Sequence, residues 1–256
     1  MRASFYTRFI KRLLDIAVVL LVAPIGIPIL VVMALLVRLR LGRPVLFRQQ
    51  RPGYRTQPFQ LVKFRSMTDQ RGSDGQLLPD VDRLPPFGRW LRSTSLDELP
   101  ELINVVRGEM SLVGPRPLLM QYLERYDERQ ARRHLVKPGL TGWSQVNGRN
   151  SLDWEKKLEM DAWYADNVSF RLDLKIVFMT IGAVFRSNGV HVPGSVTPPE
   201  FMGSGEYRVH ARTDQLNASA DSCHRTVSER QDVLAADSSR RPSSGRSAGS
   251  ARPARD

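Results

Sequence analysis

Cysteine is nearly absent: Cys223 is the only one among 256 residues, and the four histidines are scattered. An intramolecular disulfide framework and a cysteine-built zinc site are thereby excluded, and no metal-ligand spacing is visible. Neither a GxxxxGK[ST] phosphate loop nor a GxGxxG dinucleotide fingerprint occurs, and no segment repeats. Acidic residues are also short, 26 against 38 lysines and arginines, so the net charge is +12 and the pI about 10.5. Such a chain calls for acidic partners: anionic lipid, nucleoside diphosphates or nucleic acid. The length suits one domain of ordinary size plus extensions.

Only one long apolar run is present, Ile16 to Val37. It is long enough to just cross a bilayer as a straight helix. It is also too long for a signal peptide, and no small-x-small cleavage site follows. Pro24, Gly26 and Pro28 interrupt its middle, and arginines and lysines lie on both sides: Arg2, Arg8, Lys11 and Arg12 before it, Arg38, Arg40, Arg43 and Arg48 after it. Positive flanks at both ends place both ends in the cytoplasm. A bent helix that enters one leaflet and returns satisfies the breakers and the flanks together. A kinked spanning helix is the alternative.

Val45 to Arg51 and Phe59 to Arg65 alternate apolar and polar residues around Pro52-Gly53-Tyr54, which predicts a β-hairpin with Lys63 and Arg65 on one face. Arg71 to Pro86, rich in Gly, Asp and Pro, reads as a loop, and Phe87 to Leu91 as the start of a short helix. Leu118 to Leu135 reads as a helix made basic by Arg125, Arg129, Arg132 and Arg133, with lipid headgroups as its partner. Lys137 to Asn150 is a Gly-rich loop whose Trp143, Gln145, Asn147 and Arg149 suit nucleotide or sugar binding. Ser151 is placed as the N-cap of a helix running to Asn167. The apolar part of Phe170 to Ser187 is too short to span a membrane, and an interfacial position is preferred to a core one. From Ser204 the composition turns to Ser, Arg, Ala and Asp, as expected of a disordered tail. Three parts follow: residues 1–43 with the membrane helix, 44–203 as the cytosolic domain, and 204–256 as the tail.

The stretch Ser93 to Pro117 organises the rest. Leu96, Leu99, Leu102, Ile103 and Val106 recur at helical spacing. Ser95 and Glu98 fit a capping box, while Pro100, most at ease in a first turn, moves the start toward Asp97. Either way Asp97 and Glu98 stand side by side at a helix N-terminus, where negative charge is favoured. Capping alone explains an isolated pair of this kind. Here Gly114-Pro115-Arg116-Pro117 follows, a stiff turn that holds a guanidinium ready for phosphate.

Ser95-Leu96-Asp97-Glu98-Leu99, Gly108 to Pro117, Lys63-Phe64-Arg65-Ser66-Met67 and Lys137 to Trp143 resemble the bacterial sugar transferase family, in the same order and from about Lys11 to Gly203. The family's members are monotopic phosphoglycosyl transferases. The resemblance implies an α+β, mostly helical fold, with a re-entrant membrane helix, a small β-hairpin and amphipathic interfacial helices around a site at the membrane surface. Its helix break is often Ser-Pro, whereas here it is Ala23-Pro24, with Pro28 after it.

The implied reaction moves a sugar 1-phosphate from a UDP-sugar to polyprenyl (undecaprenyl) phosphate and releases UMP. Asp97 is carried over as nucleophile and Glu98 as metal ligand or proton-transfer partner, roles that the residues alone leave open. Mg²⁺ is expected on the carboxylates Asp97 and Glu98 with substrate phosphates. Lys63 and Arg116 are expected on phosphate, and Arg65, Trp143, Gln145, Asn147 and Arg149 on substrate. The expected location is the cytoplasmic face of a bacterial inner membrane, against anionic lipid and without nucleic acid. Downstream glycosyltransferases and a second copy of the chain are further expected partners. The compact form resembles relatives that use N-acetylated sugars.

Three rivals are weighed against this. One apolar segment cannot build a polytopic transferase. Adjacent carboxylates do not face each other across a sugar at the roughly 5–9 Å that glycosidases need. A membrane-anchored basic nucleic-acid-binding or scaffold module explains charge and anchor, but gives the Asp-Glu and Pro-Arg-Pro elements no role.

Overall fold

The computed structural model describes residues 5–148, 152–186 and 200–203. The 204–256 tail assignment, Arg149 and Ser151 lie outside the described residues.

A π-helical stretch, Tyr6–Ile10, leads into α1 (Lys11–Arg40), whose 30 residues make it about 45 Å long. It is apolar and long enough to cross a membrane by length and composition. Pro24 and Pro28 lie inside it, each removing one backbone donor. Both ends of α1 pack on the same compact unit. At the first end the buried Lys11 ion-pairs with Asp173 and donates to the Tyr164 hydroxyl. Arg12 caps the carbonyls of Val105 and Val106, and Asp15 accepts from Ser111 Oγ and Leu112 N. At the other end Met33 and Val37 pack with Phe64 and Leu91. Between them Leu20, Leu21, Ile25, Ile27 and Val31 are exposed. An apolar middle with anchored ends needs a membrane to cover it.

The hairpin forms as its alternation predicts. β1 (Leu46–Pro52) and β2 (Pro58–Phe64) pair antiparallel, Leu46 opposite Phe64 and Pro52 opposite Pro58. Gly53 is required at the turn because an added Cβ would stand 2.9 Å from the Gln57 carbonyl oxygen. The loop that follows contains one short helix, α2 (Asp80–Arg83), and then α3 (Pro86–Ser93) and α4 (Glu101–Arg107) bring the chain back onto β2. Asn104, fully buried, fixes that return. Its amide donates to the Gln60 carbonyl and to Glu109, and its oxygen accepts from Val62 N–H. A side chain thus completes the hydrogen bonding of β2 on the edge β1 does not use.

β3 (Ser111–Val113) pairs in parallel with β4 (Gly139–Thr141), a second small sheet that the sequence reading missed because β4 sits in a segment read as loop. That segment also forms a short helix, α6 (Trp143–Val146). The basic helix expected over Leu118 to Leu135 is broken. A 3-10 segment, Met120–Arg125, gives way at the extended Tyr126 and Asp127 to α5 (Glu128–Ala131), and a further 3-10 turn spans Arg132–Leu135. Its arginines do not form a free face. Arg125, Arg129, Arg132 and Arg133 pair with Glu200, Glu159, Asp166 and Asp161 respectively.

α7 (Trp154–Asn167) is capped by Asp153, whose carboxylate accepts from Lys156 N–H, so the cap lies two residues beyond Ser151. α8 (Phe170–Arg186) is amphipathic, with Asp173 and Ile176 buried and Phe170, Leu174, Phe178 and Ile181 exposed. The fold is therefore α+β and mostly helical, with the apolar helix at its N-terminal side.

Candidate active site

Ser95 adopts a left-handed conformation (φ 57°) and makes no side-chain cap, so the capping box does not form. Leu96–Glu98 is instead a single 3-10 turn, and Pro100 stands at the N-cap of α4. The N-cap proline stands two residues after Glu98, and the helix starts at Glu101. The acid pair is thus presented on its own turn ahead of the helix, not in the helix's first turn.

Glu98 is held by two cations. Lys63, near the end of β2, donates to its Oε1 at 3.0 Å. Arg116 grips it with both terminal nitrogens, Nη1 reaching Oε2 at 3.3 Å and Nη2 reaching Oε1. Burial works against an ionised Glu98, but Arg116 and Lys63 outweigh it and hold the carboxyl well below the usual range. Lys63 also stands 2.9 Å from Oε1 of Glu101, an almost fully buried carboxylate at the start of α4. Burial raises the Glu101 pKa against the pull of Lys63.

Asp97 is different. It is 9% exposed and forms no ion pair or side-chain hydrogen bond among the described residues. Burial first, then the neighbouring charge of Glu98, push its carboxyl up to about 6. Adjacent carboxylates whose environments drive their pKa values apart are a recurrent arrangement for chemistry.

Arg116 reaches Glu98 from a loop whose backbone is pressed against β4. Gly114 N–H donates to the Thr141 carbonyl at 2.8 Å, and Gly139 N–H to that of Pro115 at 3.0 Å. A Cβ on Gly139 would lie 2.0 Å from the Gly114 nitrogen, and one on Gly142 2.2 Å from the Gly114 oxygen. Only glycine permits this approach. The loop is pinned from behind by Arg133, whose Nη2 donates to the Arg116 carbonyl at 2.6 Å and to Asp161 at 2.8 Å. Ser144 Oγ completes Asp161 at 2.7 Å.

The structure therefore brings Lys63, Asp97, Glu98 and Arg116 together and adds Glu101, Asn104 and Arg133, which sequence reasoning missed. A polar residue at Asn104, on a helix whose stripe is otherwise apolar, was the available signal. Arg65 follows the end of β2 and bonds to the Arg43 and Met67 carbonyls and to Asp69, not to the acid pair. Trp143 packs on Trp163 and Lys175, Gln145 donates to the Leu140 carbonyl, and Asn147 donates to that of Trp143. Pro24 and Pro28 are exposed on α1.

Comparison with known proteins agrees with this geometry. The bacterial sugar transferase family matches residues 6–187. An uncharacterized sugar transferase, EpsL, of Bacillus subtilis is 54% identical over 198 residues, covering 77% of this chain and 98% of that protein. A UDP-glucose:undecaprenyl-phosphate glucose-1-phosphate transferase of Klebsiella pneumoniae is 44% identical over 181 residues, 67% of this chain and 39% of its own length. A UDP-N-acetylgalactosamine-undecaprenyl-phosphate N-acetylgalactosaminephosphotransferase of Aeromonas hydrophila is 36% identical over 189 residues, 71% of this chain and 45% of its own. The chain thus spans nearly all of the Bacillus protein but under half of the other two. With the match covering the membrane helix, the acid pair and the Pro-Arg-Pro loop alike, the chain belongs to the bacterial sugar transferase family.

Proposed function

We propose that the chain transfers a sugar 1-phosphate from a UDP-sugar to polyprenyl phosphate, releasing UMP and leaving a polyprenyl diphosphate sugar. The observation that carries this reading is the split acid pair: Asp97 buried and, among the described residues, unpartnered, Glu98 ion-paired to Lys63 and Arg116. The names of the relatives, which cover UDP-glucose and UDP-N-acetylgalactosamine as donors and undecaprenyl phosphate as acceptor, support the same reaction class.

In this reading a carboxylate oxygen of Asp97 attacks the phosphorus that bears the sugar. The bond to the bridging oxygen breaks, and UMP leaves with that electron pair. An oxygen of polyprenyl phosphate then attacks the same phosphorus, and the Asp97 carboxylate departs unchanged. The proton count closes without an added acid. One difficult displacement becomes two easier ones. Lys63 and Arg116 sit where charge moves between phosphoryl oxygens, and fixed cations stabilise such a transition state without reorganising.

Among the described residues no three acidic or histidine side chains gather into a metal cage. Mg²⁺ does not need one, because it commonly takes one or two carboxylates and completes its shell with substrate phosphate and water. The free carboxylate of Asp97 suits that role, and Asp97 and Glu98 are the residues that would hold the ion. Bound there, it would neutralise diphosphate charge.

The site stands on a body to which both ends of α1 are fixed, which supports a helix that dips into one leaflet and returns. The exposed apolar middle of α1 and the outer face of α8 then meet lipid, on the side where the acceptor phosphate lies. A cytoplasmic-face location follows from the basic flanks. The deciding experiment mixes purified protein with polyprenyl phosphate, Mg²⁺ and a panel of UDP-sugars. UMP release with one of them, alongside a labelled lipid product, is expected. No UMP with any member, in protein that is folded and reconstituted, would remove the reading.

A further inference from the structure

Glu101 is a third carboxylate beside the acid pair, and the two displacements at phosphorus give it no task. It is 1% exposed. Its buried Oε1 accepts no aligned hydrogen bond among the described residues, and Lys63 Nζ, 2.9 Å away, is the one cation there in ion-pair range. The same nitrogen stands 3.0 Å from Glu98 Oε1. One ammonium is thus shared by two carboxylates. Glu98 has Arg116 as a second cation, and Glu101 has none among the described residues. A buried carboxylate with half a counter-charge destabilises a fold, and a neutral side chain of the same shape would not.

The fold holds Glu101 in place. It is the first residue of α4, directly after Pro100. One turn on, Asn104 bonds to the Gln60 carbonyl and the Val62 N–H, and Lys63 is the next residue of β2. Residues three apart on a helix are neighbours, so the turn that docks on β2 is the turn that carries Glu101 to Lys63. Glu98 is less enclosed. It lies on the 3-10 turn ahead of the helix, and its side chain is 18% exposed against 2% for that of Glu101.

We propose that Glu101 is a positioning residue for Lys63, anchoring the ammonium on the α4 side while Glu98 and an incoming phosphate compete for it. This rests on the transferase reading, in which Lys63 meets a phosphoryl oxygen. A lysine is a point charge on a flexible four-carbon stem, unlike the rigid fork of Arg116. With Glu98 as its only partner, it would follow whichever anion lay nearest. With Glu101 fixed beside it, Nζ stays charged and stays at one place through both displacements. A cation that does not have to move stabilises shifting charge without reorganisation.

The test uses the full chain in detergent and has two arms. The first needs no substrate: lysines are labelled with a trace of an amine-reactive anhydride and read by peptide mass spectrometry. Only the free amine reacts, so loosening Lys63 from one of its two acids raises its labelling. Glu101→Gln should raise it at least about threefold, half a pKa unit, relative to the exposed Lys156. Unchanged labelling overturns the proposal. The second arm is a double-mutant cycle on kcat for UMP release, taken per folded protein. Glu101→Gln should lower kcat at least about tenfold, and Glu101→Gln in a Lys63→Gln background should lower it no further. An unchanged kcat in the single variant overturns the proposal. So do additive losses, which are what a residue supporting only the fold would give. If Glu101→Gln does not fold, Glu101→Asp takes its place: it keeps the charge one methylene short of Lys63, and kcat equal to the parent overturns the proposal. Should the parent release no UMP at all, the transferase reading falls, while the labelling still decides whether Glu101 holds Lys63.

Discussion

Asp97 and Glu98 are neighbours in the chain and opposites in their surroundings. Glu98 is gripped by Arg116 and Lys63, while Asp97 is buried with no partner among the described residues and its carboxyl is pushed up to about 6. Glu98's charge is itself the second cause of that upward push. A nucleophile needs uncommitted oxygens, and among the described residues those of Asp97 make no hydrogen bond or ion pair while those of Glu98 do.

The first prediction is a pH profile. An aspartate that attacks must be ionised, so kcat/KM for UMP release should fall below about pH 6, roughly tenfold per pH unit, and level off above it. Initial rates of UMP release across pH 4.5–8.5 provide the check. A profile flat down to about pH 4.5 would mean that Asp97 does not ionise in the step observed.

The second concerns stability, with the sign reversed. The fold holds the Asp97 proton more tightly than an unfolded chain, whose value is near 3.8. Ionisation therefore penalises the fold as pH rises from about 4 to about 6, and the penalty is complete above that window. At neutral pH it amounts to on the order of 3 kcal/mol. Asp97→Asn should raise the melting temperature at pH 7.5 while abolishing activity, and the gain should vanish near pH 4. A variant that melts below the parent at pH 7.5 would contradict this.

The third concerns the support behind Arg116. Arg133 and Asp161 form a pair that is almost completely buried, and Arg133 also holds the Arg116 carbonyl. Removing one partner strands the other, so Asp161→Asn should cost about 3–5 kcal/mol. Arg133→Lys keeps the charge but cannot bridge Asp161 and the Arg116 carbonyl with one fork. It should lower kcat more than it raises KM for UDP-sugar, since the loop that carries Arg116 loses its register. Equal kinetics in a folded Arg133→Lys protein would show that Arg116 is positioned by β4 alone.

The fourth is topological. In a Cys223→Ser background, cysteines placed at Ser4 and Thr56 should both escape an impermeant thiol reagent in intact spheroplasts and both react after lysis. Labelling of one from outside would make α1 a spanning helix. Leucine at both Pro24 and Pro28 restores two backbone donors and should favour the spanning form at the expense of activity.

Much of this was legible along the chain, where short-range rules apply. The hairpin could be read from alternation around Pro52-Gly53, and a short helix was expected from Phe87, where α3 runs. Lys63, Asp97, Glu98 and Arg116 were picked out by a family resemblance and by stiff local geometry, and they do converge. The failures are tertiary. The segment Leu118 to Leu135 has helical composition, yet its arginines are drawn to acids on α7 and at Glu200, and the chain breaks at Tyr126 to let them reach. Asp127 and Gln130 carry the capping-box pattern that restarts it, a signal that was present. Gly139 and Gly142 read as loop and Gly114 as part of a stiff turn, whereas all three allow backbone to press on backbone. Nothing in the local sequence says which distant carbonyl a glycine must approach.

The covalent step is tested most directly by intact-protein mass spectrometry after incubation with the cognate UDP-sugar and Mg²⁺, without acceptor. The account predicts an added mass of one sugar phosphate, assigned by fragmentation to Asp97, absent in Asp97→Asn and discharged when polyprenyl phosphate is added. An adduct on Glu98 would reverse the roles. No adduct, with kinetics that require both substrates bound together, would contradict the covalent mechanism and leave Asp97 as a ligand for direct attack by the lipid phosphate.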